Sequence, residues 1–186
     1  MQDAELMERV KTGDESAFKM LVDRHHQAVF HLCFRYVGKR EDAEEVAQDV
    51  FIRLYRSAGT YQPSAKLTTF LYRIAVNLSL NRIRDRKRKR WLSLEMLRQD
   101  KGIEFEASSS DHPDVVLEYQ EKQIQVHKAI DSLPVNQRTA VLLHRFQGLS
   151  YEETAEVMKC SVSAVEARLH RAKLNLKKKL SHLAGV

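Results

Sequence analysis

LSYEETAEVMKCSVSAVEARLHRAKLNLKKKL, residues 149–180, is the stretch whose reading decides the fold. Ser150 followed by Glu153 forms a capping box, in which hydroxyl and carboxylate satisfy the free amides at a helix start. The helix that follows is short and ends near Met158. Lys159-Cys160 makes the turn, and Ser161 can cap a second helix. Along that second helix Val165, Leu169, Ala172, Leu176 and Leu180 recur every three or four residues, which buries one stripe. Ser163, Glu166, Ala167, His170 and Arg171 are left pointing outward. Two short helices joined tightly, the second with a polar outer face, have the shape that fits a DNA major groove. Taken alone, the segment also reads as an ordinary helical hairpin whose charges only meet water.

The rest of the chain narrows the choice. With 186 residues it has the length of one ordinary domain or two small ones. Hydrophobic residues make up 43%, enough for packed cores, and 30% charged residues fit a helix-rich soluble protein. No apolar run approaches the length needed to span a bilayer. The start, Met1-Gln2-Asp3-Ala4-Glu5, is acidic and lacks the basic-then-apolar layout of a signal peptide, so a cytoplasmic location is expected. Cys33 and Cys160 are far apart and fit reduced thiols better than a disulfide.

The net charge is +6, but its placement says more than its total. Arg82 to Arg90 (RIRDRKRKR) holds seven basic residues against one Asp. A second basic block, Arg168 to Lys179, closes the helix-turn-helix. Between them Glu95 to Glu121 is acidic, poorly periodic and contains Ser108-Ser109-Ser110 and Pro113. Two basic clusters, each ending an amphipathic helix and separated by a linker, make nucleic acid the leading partner.

The N-terminal half is helical throughout. Asp14 caps a helix with Phe18, Leu21, Val22, His25, Val29, Leu32, Cys33 and Tyr36 on one stripe, and Gly38 ends it. The next helix, about Glu41 to Ala58, places Ala43, Val46, Ala47, Val50, Phe51, Leu54 and Tyr55 on its buried side. Glu44, Glu45, Gln48, Asp49 and Arg53 occupy the other. After a loop with Gly59, Tyr61 and Pro63, a long helix starts near Leu67, packs with Phe70, Leu71, Ile74, Ala75 and Leu78, and runs into the basic block. The expected architecture is all-α: a helical bundle over 1–92, a flexible acidic linker over 93–112, and a helix-turn-helix domain over 113–186.

These residues carry a family resemblance. Glu41-Asp42-Ala43-Glu44-Glu45-Val46-Ala47-Gln48-Asp49-Val50-Phe51-Ile52-Arg53-Leu54-Tyr55 resembles the core-polymerase-binding helix, region 2.2, of bacterial sigma factors. Thr69-Phe70-Leu71-Tyr72-Arg73-Ile74-Ala75-Val76-Asn77 is similar to the promoter-melting region 2.3 of the extracytoplasmic-function group. Asp131-Ser132-Leu133-Pro134, Gly148-Leu149-Ser150-Tyr151-Glu152-Glu153-Thr154-Ala155 and Arg168-Leu169-His170-Arg171-Ala172 resemble region 4 of the same group. The likeness covers nearly the whole chain, in the family's order.

The resemblance implies a sigma subunit that binds core RNA polymerase and directs it to a subset of promoters. On that footing Glu45, Gln48, Asp49 and Arg53 are expected to grip a basic coiled coil on the polymerase. Tyr61 and Asn77 are placed where an unstacked base of the −10 element is captured, by ring face and by amide. Lys66, Tyr72, Arg73, Asn81, Arg84 and Arg88 lie along the path of strand phosphates or the duplex edge. For the −35 element, Ser163, Glu166, Ala167, His170 and Arg171 face the groove while Arg168 and Lys173 meet phosphates. Three positions depart from the family pattern: Phe70 stands where Trp is usual, Lys159 where Gly is usual, and Glu166 where a basic residue is common. The family also implies a separate anti-sigma partner, often membrane-anchored, because no further domain is present to inhibit in cis.

No enzymatic reading competes. The sequence has no Gly-rich phosphate loop, nucleophile elbow or paired-carboxylate signature, so no catalytic residue and no cofactor is assigned. His25, His26, His31 and Cys33 are close in sequence but fall on different faces of one helix, so no metal site is expected. The alternative function is a stand-alone helix-turn-helix regulator. It has no use for the Glu41–Tyr55 helix or for the Tyr61–Asn77 segment.

Overall fold

Each helix begins or ends where its local chemistry directs. The computed structural model describes residues 2–61, 66–99 and 117–181, and all regular elements among these are helical. They are α1 (Asp3–Lys11), α2 (Glu15–Val37), α3 (Arg40–Ser57), α4 (Leu67–Gln99), α5 (Leu117–Asp131), α6 (Val135–Val141), α7 (Tyr151–Met158) and α8 (Val162–Lys179). A 3-10 turn, Ala58–Thr60, follows α3, and a π-helical turn, Leu142–Phe146, extends α6. The Asp14 carboxylate accepts from Ala17 N at 3.1 Å to start α2, and Gly38, with φ of 73°, ends it in the left-handed conformation. The capping box of α7 is complete: Ser150 Oγ accepts from Glu153 N at 3.1 Å, and the Glu153 carboxylate accepts from Ser150 N at 2.9 Å. Ser161 caps α8 through Ala164 N at 3.2 Å.

Helix α1 is an addition to the sequence expectation. Gln2 and Glu5 form a capping box of their own, and Leu6, Met7 and Val10 bury one side of the helix against the bundle. The other end of the bundle also differs. Helix α4 continues to Gln99, so the boundary expected at residue 92 falls inside a helix. Residues 100–112 of the expected linker lie outside the described residues.

The apolar stripe of α2 packs on α1, α3 and α4, with Leu21, Val29, Leu32, Cys33, Val50, Leu54 and Leu71 fully enclosed. Tyr55 does not join that core: it is 46% exposed and lies edge-on to Phe18. The C-terminal helices were expected to form a domain of their own, yet Ile130, Leu142, Leu143, Leu149 and Val157 belong to the same apolar cluster as α2, α3 and α4. A smaller cluster, Leu133, Val141 and Ala172, holds α6 to α8.

Polar contacts at the junction are equally specific. The Tyr36 hydroxyl donates to Thr139 Oγ1 at 2.8 Å, with both groups buried. Burial pushes the Tyr36 phenol up to about 12, tempered by the Thr139 hydrogen bond. Arg138 Nη2 donates to the Arg35 carbonyl at 2.7 Å and the Tyr36 carbonyl at 3.0 Å. Those carbonyls are among the last of α2, which have no acceptor role inside their own helix, and a cation there also suits the helix dipole. The Arg35 guanidinium lies 3.9 Å from the centre of the Phe146 ring.

Two outcomes check this packing. Leu143→Ala should cost about 2–5 kcal/mol in denaturant unfolding, because its side chain has no exposed surface and leaves a cavity in the shared core. Burial also pushes the Cys33 thiol up to about 11, so at pH 8 it stays protonated and enclosed. Thiol titration of the native chain should therefore count one fast-reacting cysteine, Cys160, and two after denaturation.

Candidate nucleic-acid interface

The turn between α7 and α8 closes on a left-handed residue. Lys159 has φ 50° and ψ 53°, and is the non-glycine residue with positive φ among those described. A Cβ in that conformation is strained, a cost that glycine would not carry. The turn is nevertheless well bonded, with Cys160 N donating to Ala155 O at 3.0 Å. Beyond it, Ser163, Glu166, Ala167, His170, Arg171 and Lys173 are all exposed on one side of α8, while Val165 and Ala172 are buried on the other. Arg168 departs from the expectation that it meets phosphate. It is only partly exposed and turns back to the preceding helix, donating to Cys160 Sγ at 2.9 Å.

Helix α4 carries the second cationic face. Arg73, Asn77, Asn81, Arg84 and Arg88 follow one another at intervals of three or four residues, so they line one side, with Lys66 just ahead of the helix. Asn81 and Arg84 are hydrogen-bonded to each other. Asn77 is exposed and lines a cleft of about 300 Å³ shared with Arg73, Val135, Asn136, Met158 and Lys159. The two tyrosines expected on this surface are elsewhere. Tyr61 is buried with its ring edge-on to Phe70 at 5.4 Å between centroids, so the aromatic face expected in an open loop is covered. Tyr72 is also buried, on the core side of α4 rather than along a strand path. Both rings serve packing, which their size and apolar faces favour.

Two cations of this face already have acceptors from α7. Lys66 Nζ pairs with Glu153 Oε1 at 2.7 Å, and Arg73 Nη2 donates to the Glu156 carbonyl at 2.8 Å. The pairing holds the Glu153 carboxyl below its ordinary range and the Lys66 ammonium above its own. Since the carboxyl is depressed, its contribution is present above its unfolded range and fades as pH falls through the lowered value. Lys66 is 75% exposed, so solvent screening keeps that contribution small.

The third surface is the outer side of α3. Gln48, Asp49 and Arg53 are exposed, as expected. Glu45 is exposed but engaged: Arg82 of α4 bridges it and Asp42, with Arg82 Nη2 2.7 Å from Asp42 Oδ1. Sequence reasoning missed the groove beside this face. Phe18, Val22, His26, Gln48, Phe51, Ile52, Tyr55 and Arg56 line an apolar depression of about 630 Å³ between α2 and α3. Ile52 and Tyr55, each 46% exposed, form its rim. The available signal was an apolar arc on α3 wider than one buried stripe requires. His25, meanwhile, is a core residue whose Nε2 lies 2.8 Å from Asp3 Oδ2.

Among the described residues, no helix is long and apolar enough to cross a membrane. Two compact helical regions, one with a cationic helix face and one with a helix-turn-helix, define a class of DNA-reading transcription proteins. The family comparisons agree. The Sigma-70 region 2 family matches residues 21–89, and the Sigma-70 region 4 family matches residues 123–176. The RNA polymerase sigma-H factor of Pseudomonas aeruginosa is 36% identical, over 98% of this chain and 95% of its own length. The ECF RNA polymerase sigma-E factor of Escherichia coli K12 is 35% identical, over 98% of this chain and 96% of its own. Among solved structures, CnrH in complex with the cytosolic domain of CnrY has the same fold, with a TM-score of 0.71 at 22% identity over 97% of both chains. The chain belongs to the sigma-70 family, in its extracytoplasmic-function (ECF) group.

Replacing the strained residue tests the geometry of the turn. Lys159→Gly should raise stability by about 0.5–1 kcal/mol, since glycine adopts this conformation without a Cβ penalty. For a chain of this size that is about 1–4 °C in Tm, read by thermal unfolding.

Proposed function

We propose that this chain acts as a sigma subunit: it joins core RNA polymerase, places it at promoters through −35 and −10 elements, and assists strand opening. One observation carries the reading over a stand-alone regulator. The same chain that presents a helix-turn-helix also presents, on α3, the exposed Gln48, Asp49 and Arg53 bordering an open apolar groove. A protein that only occupies an operator has no partner for that face. A polymerase subunit does, with charged groups setting orientation and Ile52 and Tyr55 offering apolar anchors. Gln48 belongs to both the charged face and the groove, so the two form one docking surface.

The roles divide between the regions. Exposed Glu166, Ala167, His170 and Arg171 on α8 read base edges of the −35 duplex, with Ser163 and Lys173 at its margin. Glu166 suits a cytosine amine and Arg171 a guanine edge. Asn77 supplies the amide that holds an extruded base of the −10 strand, and Lys66, Arg73, Asn81, Arg84 and Arg88 follow its phosphates. The site of action is the cytoplasm, where polymerase is. A separate anti-sigma protein restrains the chain by covering these surfaces; solved relatives include CnrH bound to CnrY and the RpoE–NepR complex of Bartonella quintana.

A pull-down with purified core polymerase is the primary test. Asp49→Lys, at an exposed position, should leave the fold intact and weaken holoenzyme formation by about 2–5 kcal/mol. Unchanged binding by the folded variant refutes the docking surface. On promoter DNA, Arg171→Ala should lose about 1–3 kcal/mol at the −35 element with strand opening nearly intact. Asn77→Ala should leave duplex binding near normal and reduce opening, read by permanganate reactivity of unpaired thymines. Equal damage to both steps by both variants contradicts this division.

A further inference from the structure

The cleft beside Asn77 has a chemistry of its own. Its volume is about 300 Å³, and its apolar walls come from Val76 and Leu80 of α4 and from Val135 and Val157 of the facing helices. Arg73, Asn77, Asn136 and Lys159 supply polar groups around those walls. None of the described residues that line it is acidic, and two are cations, so the cleft selects for negative charge.

The polar groups also have bonding capacity to spare. Asn77, Asn136 and Lys159 are exposed, and their side chains make no hydrogen bond or ion pair with other described residues. Arg73 is half satisfied: Nη2 donates to the Glu156 carbonyl at 2.8 Å, while Nε is buried with no partner among the described residues. A buried donor left unpaired carries a desolvation penalty that an incoming acceptor removes. Backbone strain points to the same place. Lys159 holds φ of 50° where it lines the cleft, and strain of this kind collects at ligand sites, where the position of a side chain outweighs its cost.

Size and wall chemistry then narrow the ligand. A cleft of about 300 Å³ is at the lower end for small-molecule sites and suits a ligand on the order of ten heavy atoms. A bare inorganic anion would use the cations and leave the apolar walls wet. We propose that the cleft binds a small organic anion, a carboxylate or phosphate monoester with a compact apolar body. Arg73 and Lys159 hold the anionic head, Asn77 and Asn136 bond its remaining oxygens, and Val76, Leu80, Val135 and Val157 enclose the body. The assignment goes beyond the sigma reading and does not depend on it. Because α4 supplies one wall and α6 and α7 the other, a ligand that needs both walls stabilises the folded chain by mass action.

The test uses the full chain, with phenyl phosphate as the probe. Inorganic phosphate supplies the head without the body, and benzyl alcohol a body without the charge. Titration calorimetry should give saturable binding of phenyl phosphate, with a Kd of about 10–500 µM for a ligand of this size. In amide-detected NMR the side-chain amides of Asn77 and Asn136 should shift together along one binding curve. At about 5 mM the probe should raise Tm by about 2–5 °C. Inorganic phosphate and benzyl alcohol should each bind at least about tenfold more weakly. Lys159→Gly removes the ammonium and relieves the strained turn, so a loss of binding cannot be put down to unfolding; the expected loss is about tenfold. Lys177→Ala, at an exposed position outside the cleft, matches the change in charge and should bind as wild type does. Val135→Asp, at an exposed wall position, should also weaken binding. No saturable binding, or shifts confined to residues outside the cleft, overturns the site. Equal affinity for inorganic phosphate reduces it to a general anion patch and overturns the organic ligand. Lys159→Gly binding as tightly as wild type, or Lys177→Ala losing as much as Lys159→Gly, overturns the assignment of the head to Lys159 and with it the site as described.

Discussion

The last turn of α2 is where the molecule is joined. A helix end leaves carbonyl groups without intrahelical donors, and in this chain Arg35 and Tyr36 receive theirs from Arg138, a residue more than a hundred positions away. The Tyr36 hydroxyl then meets Thr139 in a site closed to water, where an unpaired hydroxyl would carry a large penalty. Once α2 is anchored at that end, its apolar stripe fixes α1, α3 and α4 around it. The leucines that follow Thr139, Leu142 and Leu143, are carried into the same core. The two regions are therefore not merely tethered neighbours.

The strength of that junction does not lie in its ion pairs. Lys66–Glu153 is exposed, and pairs of that kind contribute little to stability in water. The apolar side chains excluded from water contribute much more, at about 25 cal/mol per Å² of surface removed. The polar contacts serve a different purpose: they set which groups face each other, so that α7 meets α4 in one register. A reading surface for nucleic acid needs exposed cations, and exposed cations acquire whatever acceptor is nearest. Helix α8 escapes this because its cationic side faces away from the packed interior, whereas α4 runs directly beneath α7.

The face of α3 proposed for docking shows how charge and shape share one surface. Arg82 draws Asp42 and Glu45 toward α4, which leaves Gln48, Asp49 and Arg53 as the free polar groups. Beside them Ile52 and Tyr55 remain half exposed around an apolar depression. Large apolar side chains kept at a surface next to unpaired polar groups are the mark of a face made for another protein. From sequence, Tyr55 reads as core because it shares the spacing of Phe51 and Leu54. Only the gap between α2 and α3 leaves it on a rim.

What the sequence by itself determined is what neighbouring residues settle among themselves. Ser150 with Glu153, Ser161, Asp14 and Gly38 act within four residues of where they stand, so the helix limits they set are legible. The stripe on α8 and the turn at Lys159-Cys160 are legible for the same reason, and with them the helix-turn-helix. Helix α1 went unread because nine residues carry too short a periodic signal. Tertiary structure alone decided which of two plausible environments each amphipathic residue took. Tyr61 and Tyr72 are large enough to serve either a base or a core, and packing against Phe70 and the bundle buried them. Arg168 found the Cys160 sulfur before any phosphate. Lys66 and Arg73 read as strand-binding cations, yet their partners come from residues 153 and 156, at a separation no periodicity encodes. Caps and stripes are local, but the choice of partner for an exposed charge depends on what the rest of the chain brings within 3 Å of it.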